Sequence, residues 1–341
     1  MRSNYYAYIG TYTGAGSKGI YHVEVDGTGK ARIVGTYEAR DPSYLAVRGE
    51  RLVAVYESPP SKGGARVALY SIEQDGGLVK QSERSGGGVA TCYAALDDDN
   101  VYTANYGSGE AGIYRLTEGG GLGEGQWIAH YGESVNKARQ ESSHAHCAVP
   151  VGLEWSGGGY LAVCDLGTDK VWFYPRKDGK VSLPGVAVST PAGTGPRHMA
   201  EINDKAWAVI GEMSCEVLVY EGYGKDAVLA QRVMFARKAG EIKNTASALK
   251  VSKDKTMALG AVRGEQSVAL AKIKGGRLEQ AEIVDAKGDW PRDAAFTPDG
   301  RFVVVACEHS NELTIFQVKD SGLAFVSRLG VPSPTCVCFV P

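Results

Sequence analysis

Short apolar runs, separated by polar and glycine-rich stretches, recur along the whole chain, and their lengths suit strands better than helices. One stretch shows the pattern most fully. An apolar run at 145–153 leads through a glycine-rich turn at 157–159 into a second run at 160–164, then past 166–169 into a third at 171–174. This predicts a meander of three short antiparallel strands. The same cadence opens at Pro42, Ala90, Pro196, Ala246 and Pro291. Taking His146, His198, Ala248 and Asp293 as equivalent positions, the intervals are 52, 50 and 45 residues. A period of roughly 40 to 50 residues with several strands per unit is the signature of propeller blades.

The chain ends fit the same frame. Residues 334–340 read as the first strand of a blade that then stops, and 5–11 as a second strand with no first. The ends are therefore expected to share one blade. With the six internal openings this predicts an all-β, seven-bladed β-propeller whose ring closure is shared between the N- and C-terminal strands, one domain over residues 1–341.

Composition adds a few constraints. Glycine accounts for 45 of 341 residues, about twice the ~7% usual share, as many tight turns require. No apolar run reaches 18 residues and the N-terminus lacks a signal-peptide core, so no membrane partner and a cytoplasmic location are expected. The net charge of −2 gives no pull toward nucleic acid. The seven cysteines form no CxxC pair and read as buried structural thiols. The glycine- and lysine-containing stretch at 13–18 lacks the spacing and the helix of a phosphate loop.

Candidate chemistry gathers at strand starts. Of six histidines, His144, His146 and His198 fall at two of them. Histidine exchanges protons near neutral pH, and arginine, here Arg197, offers a planar fork for phosphate or carboxylate. For His144 a hydrogen bond to a neighbouring blade is an equal reading. Asn105 is either a site amide or a turn former. Arg292 and Asp293 are adjacent, so at most one faces a ligand and the other packs. The insertion at 118–139, with Trp127, His130, Lys137 and Arg139, either overhangs the site or is a surface excursion. No spacing marks metal ligands.

The segments ANYGSG (104–109), QESSHAHC (140–147), DLGTD (165–169), GTGPRHMA (193–200) and WPRDAAFTPDGRFVVVA (290–306) closely resemble the lactonase family of seven-bladed propellers, over nearly the whole chain. The resemblance implies a site at the mouth of the central channel that takes a small-molecule lactone, and, with no ligand spacing in the sequence, no cofactor is expected. The expected reaction is hydrolysis of a sugar lactone, 6-phosphogluconolactone to 6-phosphogluconate in the pentose phosphate pathway. Lactonisation of a carboxymuconate and a non-catalytic interaction platform are the alternatives. Carried over by position, His146, His198 and Glu212 are the expected catalytic residues, and Arg197, Arg263, His144, Asn105 and Arg292 the expected substrate contacts. The chain departs from the family pattern at Gly211, Ala248, Val262 and Glu265.

Overall fold

The computed structural model describes residues 4–152, 159–237 and 243–341, so Gly157 and Gly158 of the turn expected at 157–159 lie outside the described residues. Seven antiparallel sheets follow one another along the chain, five of four strands and two with a fifth short strand. They form the seven blades of a propeller ring, and the innermost strand of each is the first in the repeat.

Blade 1 is shared by the chain ends. Its inner strand, Pro334–Phe339, pairs with Tyr5–Thr11, with Ala7 opposite Phe339 and Thr11 opposite Pro334. The other inner strands are Pro42–Arg48, Thr91–Leu96, Ala145–Val151, Pro196–Asn203, Thr245–Val251 and Pro291–Phe296, in blades 2 to 7. All six internal openings thus match the expected positions to within a residue.

The second strand of each blade is buried on both faces, because a neighbouring blade lies against each. Arg51–Tyr56 and Phe302–Cys307 accordingly carry the continuous runs LVAVY and FVVVAC. Outer strands are the most exposed, as in Ala31–Glu38, none of whose residues is fully buried. Aromatic rings fill the wedges between blades: Trp207 of blade 5 lies with its ring centre 5.2 Å from that of Phe173 in blade 4 and stacks on Tyr220 at 4.4 Å.

A local irregularity recurs in every blade and decides what faces the channel. Each inner strand carries one extra residue against its partner at its start, a β-bulge. The bulged residues are Thr335, Ser43, Cys92, His146, Arg197, Ser247 and Arg292. A bulge bends the strand and re-aims the side chain it carries. The positions expected to be equivalent, His146, His198, Ala248 and Asp293, are therefore one out of register after the first. The counterparts of His146 are Arg197, Ser247 and Arg292.

Backbone strain gathers at the same place. The residue entering the inner strand has a left-handed φ in five blades, among them Asp41, Ala90, Ser333 and Trp290, the last at +60°. For a bulky side chain such a φ costs of order 1–3 kcal/mol and persists only where surrounding structure imposes it.

Candidate active site

Two rings of seven residues build the channel mouth. The first is the set of bulged residues. The second comes from the residue that follows the bulge's partner at the end of each second strand: Tyr12, Glu57, Tyr106, Leu166, Glu212, Arg263 and Glu308. Every charged site residue expected from the sequence falls in one of these rings.

Glu212 organises one half of the mouth. Its Oε1 lies 2.6 Å from Arg139 Nη2, and its Oε2 lies 2.5 Å from Arg197 Nη1 and 3.1 Å from Arg263 Nη2. Burial alone would raise the Glu212 pKa, but the guanidiniums of Arg263 and Arg197, with His146 and Arg139, hold the carboxyl well below the usual range. It is therefore a fixed carboxylate rather than a proton carrier at neutral pH. Burial lowers Arg263 to about 10 against the opposing pull of Glu212, and its guanidinium lies over the Trp290 ring.

His146 sits beside this cluster. Arg197 Nη1 donates to His146 Nε2 at 2.5 Å, and since arginine can only donate, Nε2 is the bare nitrogen. The ring proton is then on Nδ1, 3.7 Å from Cys92 Sγ. Burial, reinforced by the Arg197 guanidinium, pushes the His146 pKa well below its ordinary value, so the imidazole is neutral at pH 7. Burial and the charges of Arg197 and Lys250 lower His198 in the same way. Its ring packs edge-on to Tyr93, Tyr44 and His146 at 5.2, 5.8 and 5.8 Å. His198 thus packs within this group of rings. Lys250 Nζ lies 3.0 Å from Tyr44 Oη in the same group and 3.7 Å from Asp293 Oδ1.

Arg292 organises the other half. Its guanidinium lies over the Tyr12 ring at 4.9 Å, with Nη1 3.3 Å from Glu308 Oε2 and Nη2 3.9 Å from Glu57 Oε2. Tyr12 donates its hydroxyl to the same Glu57 oxygen at 2.7 Å. Asp293 turns the other way, accepting Val337 N–H at 3.0 Å, which fits the expectation that one of the adjacent pair serves packing.

Two expected substrate contacts are placed elsewhere. Asn105 is fully buried, accepting from Thr91 Oγ1 at 2.6 Å and donating to Gly86 O at 3.1 Å, so it closes a turn. His144 stacks on Tyr106 at 4.6 Å, with Nδ1 2.8 Å from Tyr106 O and Nε2 3.1 Å from Glu141 Oε1. It supports Tyr106 from behind.

The insertion divides between its two readings. Leu122–Ala129 is the outer strand of blade 3, and His130 is buried against Trp172, its Nε2 2.8 Å from Tyr174 Oη. Farther on, Arg139 reaches over the mouth, touching Glu212 and, at 3.2 Å, Tyr106 Oη, whereas Lys137 pairs with Glu133 at the surface. Among the described residues no group of three His, Cys, Asp or Glu side chains is placed to hold a metal ion.

A closed seven-bladed ring with histidine, arginine and glutamate converging on one channel mouth defines a propeller that holds a cluster of ionisable groups on a rigid scaffold. The chain belongs to the lactonase family of seven-bladed β-propellers, whose model matches residues 6–339. It is 32% identical over 353 aligned positions to the 6-phosphogluconolactonase of Bacillus subtilis, covering 99% of both chains. Among solved structures, the periplasmic gluconolactonase of Pseudomonas aeruginosa superposes with a TM-score of 0.90 at 27% identity, covering 99% of each chain. A Lactobacillus plantarum protein superposes with a TM-score of 0.89 at 25% identity over the full length of both.

Proposed function

We propose that the protein hydrolyses a sugar lactone bearing an anionic tail, 6-phosphogluconolactone being the simplest such substrate. The observation that carries this reading is the charge of the Glu212 half of the mouth: three guanidiniums around one carboxylate, an excess of two positive charges. Arg197, with Arg139 beside it, receives the anionic group, exchanging a contact with Glu212 for one with the substrate. Arg263 faces the carbonyl oxygen.

As Arg197 turns to the substrate, His146 Nε2 is released to take a proton from water. The water oxygen then bonds to the lactone carbonyl carbon and the carbonyl oxygen becomes an oxyanion, stabilised by a guanidinium already in place. Collapse breaks the ring carbon–oxygen bond, and the departing alkoxide takes the proton back from His146. Glu212 keeps the cations positioned throughout.

The test compares Arg197→Ala with wild type on 6-phosphogluconolactone and on plain gluconolactone, each corrected for spontaneous opening. A lost hydrogen bond to a charged group is worth roughly 1.5–3 kcal/mol, so kcat/KM for the phosphorylated substrate should fall about ten- to 150-fold. The plain lactone should lose far less. Equal losses on both would remove Arg197 from the anionic group and give it to the oxyanion or to the fold.

A further inference from the structure

The two halves of the mouth are chemical mirror images. On blades 5 and 6 and the loop before blade 4 a carboxylate, Glu212, sits among three guanidiniums, and on blades 7, 1 and 2 a guanidinium, Arg292, sits among Glu308, Tyr12 and Glu57. Glu57 and Glu308 hold the same register position in their blades as Glu212, one residue past the bulge's partner. They therefore border the same opening. Their side chains are 18% and 14% exposed against 3% for Glu212, so a ligand can reach them. The contacts to Arg292 and Tyr12 all fall on Oε2 of each carboxylate, which leaves Oε1 of each to accept from a ligand.

A six-membered sugar lactone has two unlike edges. The carbonyl carbon and the carbon bearing the tail both flank the ring oxygen, so the carbonyl and the anionic group lie along one edge. The ring hydroxyls at carbons 2, 3 and 4 lie along the other. Carboxylates repel phosphate and accept strongly from hydroxyls, whereas guanidiniums do the reverse. Each half of the mouth matches one edge.

We propose that Glu57 and Glu308, held by Arg292 and Tyr12, form the hydroxyl-recognising subsite, which selects polyhydroxylated lactones and sets their orientation. This rests on the lactonase reading for the direction of the substrate, but the subsite is defined by ligand chemistry and can be tested without turnover. Glu57 accepts from a hydroxyl on one side of Arg292 and Glu308 on the other. The acidic wall also turns away a substrate entering with its anionic tail reversed.

The experiment is calorimetric titration of wild type, Glu57→Gln and Glu308→Gln with gluconate, 6-phosphogluconate and inorganic phosphate, after thermal melts have shown each variant folded. The glutamine variants keep size and shape and lose the charge. Gluconate and 6-phosphogluconate should each bind roughly five- to tenfold more weakly, the difference between a charge-assisted hydrogen bond and the neutral one that the glutamine amide oxygen still accepts, while inorganic phosphate binds as before or more tightly. Equal weakening of gluconate and phosphate would reduce the two carboxylates to supports for the fold. Unchanged gluconate affinity, or no gluconate binding by wild type, would also overturn the subsite. Failure of the lactonase reading has a different signature: no enzyme-dependent lactone opening by wild type, even where gluconate affinity responds to the two variants as described.

Discussion

Replacing Glu212 by glutamine removes the single negative charge shared by Arg139, Arg197 and Arg263 while keeping the side chain's shape. Breaking a buried ion pair from one side costs ~3–5 kcal/mol, because the remaining charge stays in a low-dielectric site without its partner. Arg139 has a side chain 35% exposed and is screened by solvent, so its share is discounted. Arg197 and Arg263, at 2.5 and 3.1 Å and both buried, carry the effect, which points to the low end, about 3 kcal/mol. Unfolding entropy of ~2.1 cal/mol/K per residue gives ~0.7 kcal/mol/K for a chain of this length, so the expected fall in Tm is about 4 °C. Differential scanning calorimetry at pH 7 reads this directly. Adding inorganic phosphate, which can take the place of the lost carboxylate, should raise the variant's Tm more than that of wild type. A variant that melts at the wild-type temperature would show that Glu212 does not hold the guanidiniums, and the electrostatic account of the mouth would fall with it.

Two further outcomes follow from the same structure. Deleting residues 332–341 removes the strand that closes the ring on Tyr5–Thr11, together with the Thr335–Ser43 and Val337–Asp293 hydrogen bonds at 2.9 and 3.0 Å. The newly open sheet edge along Tyr5–Thr11 should then drive aggregation, and an unchanged melt in the monomeric state would refute closure by this segment. Burial holds His130, at about 4, and His146 and His198 below the ordinary histidine value, so the unfolded chain binds more protons below pH ~6.5. Stability from these groups is complete above that pH and is lost as pH falls toward the folded values, at up to ~1.4 kcal/mol per pH unit for each histidine. Going from pH 7 to 5.5 should thus cost roughly 4 kcal/mol in urea unfolding, and a flat profile over that range would contradict neutral burial.

The blade count was legible because burial of the inner and second strands on both faces forces continuous apolar runs, which recur at a readable interval. The register inside each blade was not, since a bulge adds one residue without altering the apolar character around it. That is why Arg197 and Arg292 answer to His146, rather than His198 and Asp293. Glu57, Glu308 and Tyr12 have no local motif, but they could have been found by stacking the ends of the second strands, where VYES, IGEM and ACEH put glutamate at one position. Arg139 showed only as one of a basic pair. Which of Lys137 and Arg139 reached the site depended on the path of the loop, and no periodic pattern encodes that. Asn105 stayed open between two readings because the same amide that suits a ligand also suits a strand end, and its bonds to Thr91 and Gly86 favour the second.

The most direct test of the central claim is the rate of acid release from 6-phosphogluconolactone by the wild-type protein, corrected for spontaneous opening and repeated with EDTA. A rate proportional to enzyme concentration and unaffected by the chelator is what a mouth built from His146, Arg197, Arg263 and Glu212 predicts. A rate that never exceeds the spontaneous one, with the protein folded, would contradict it.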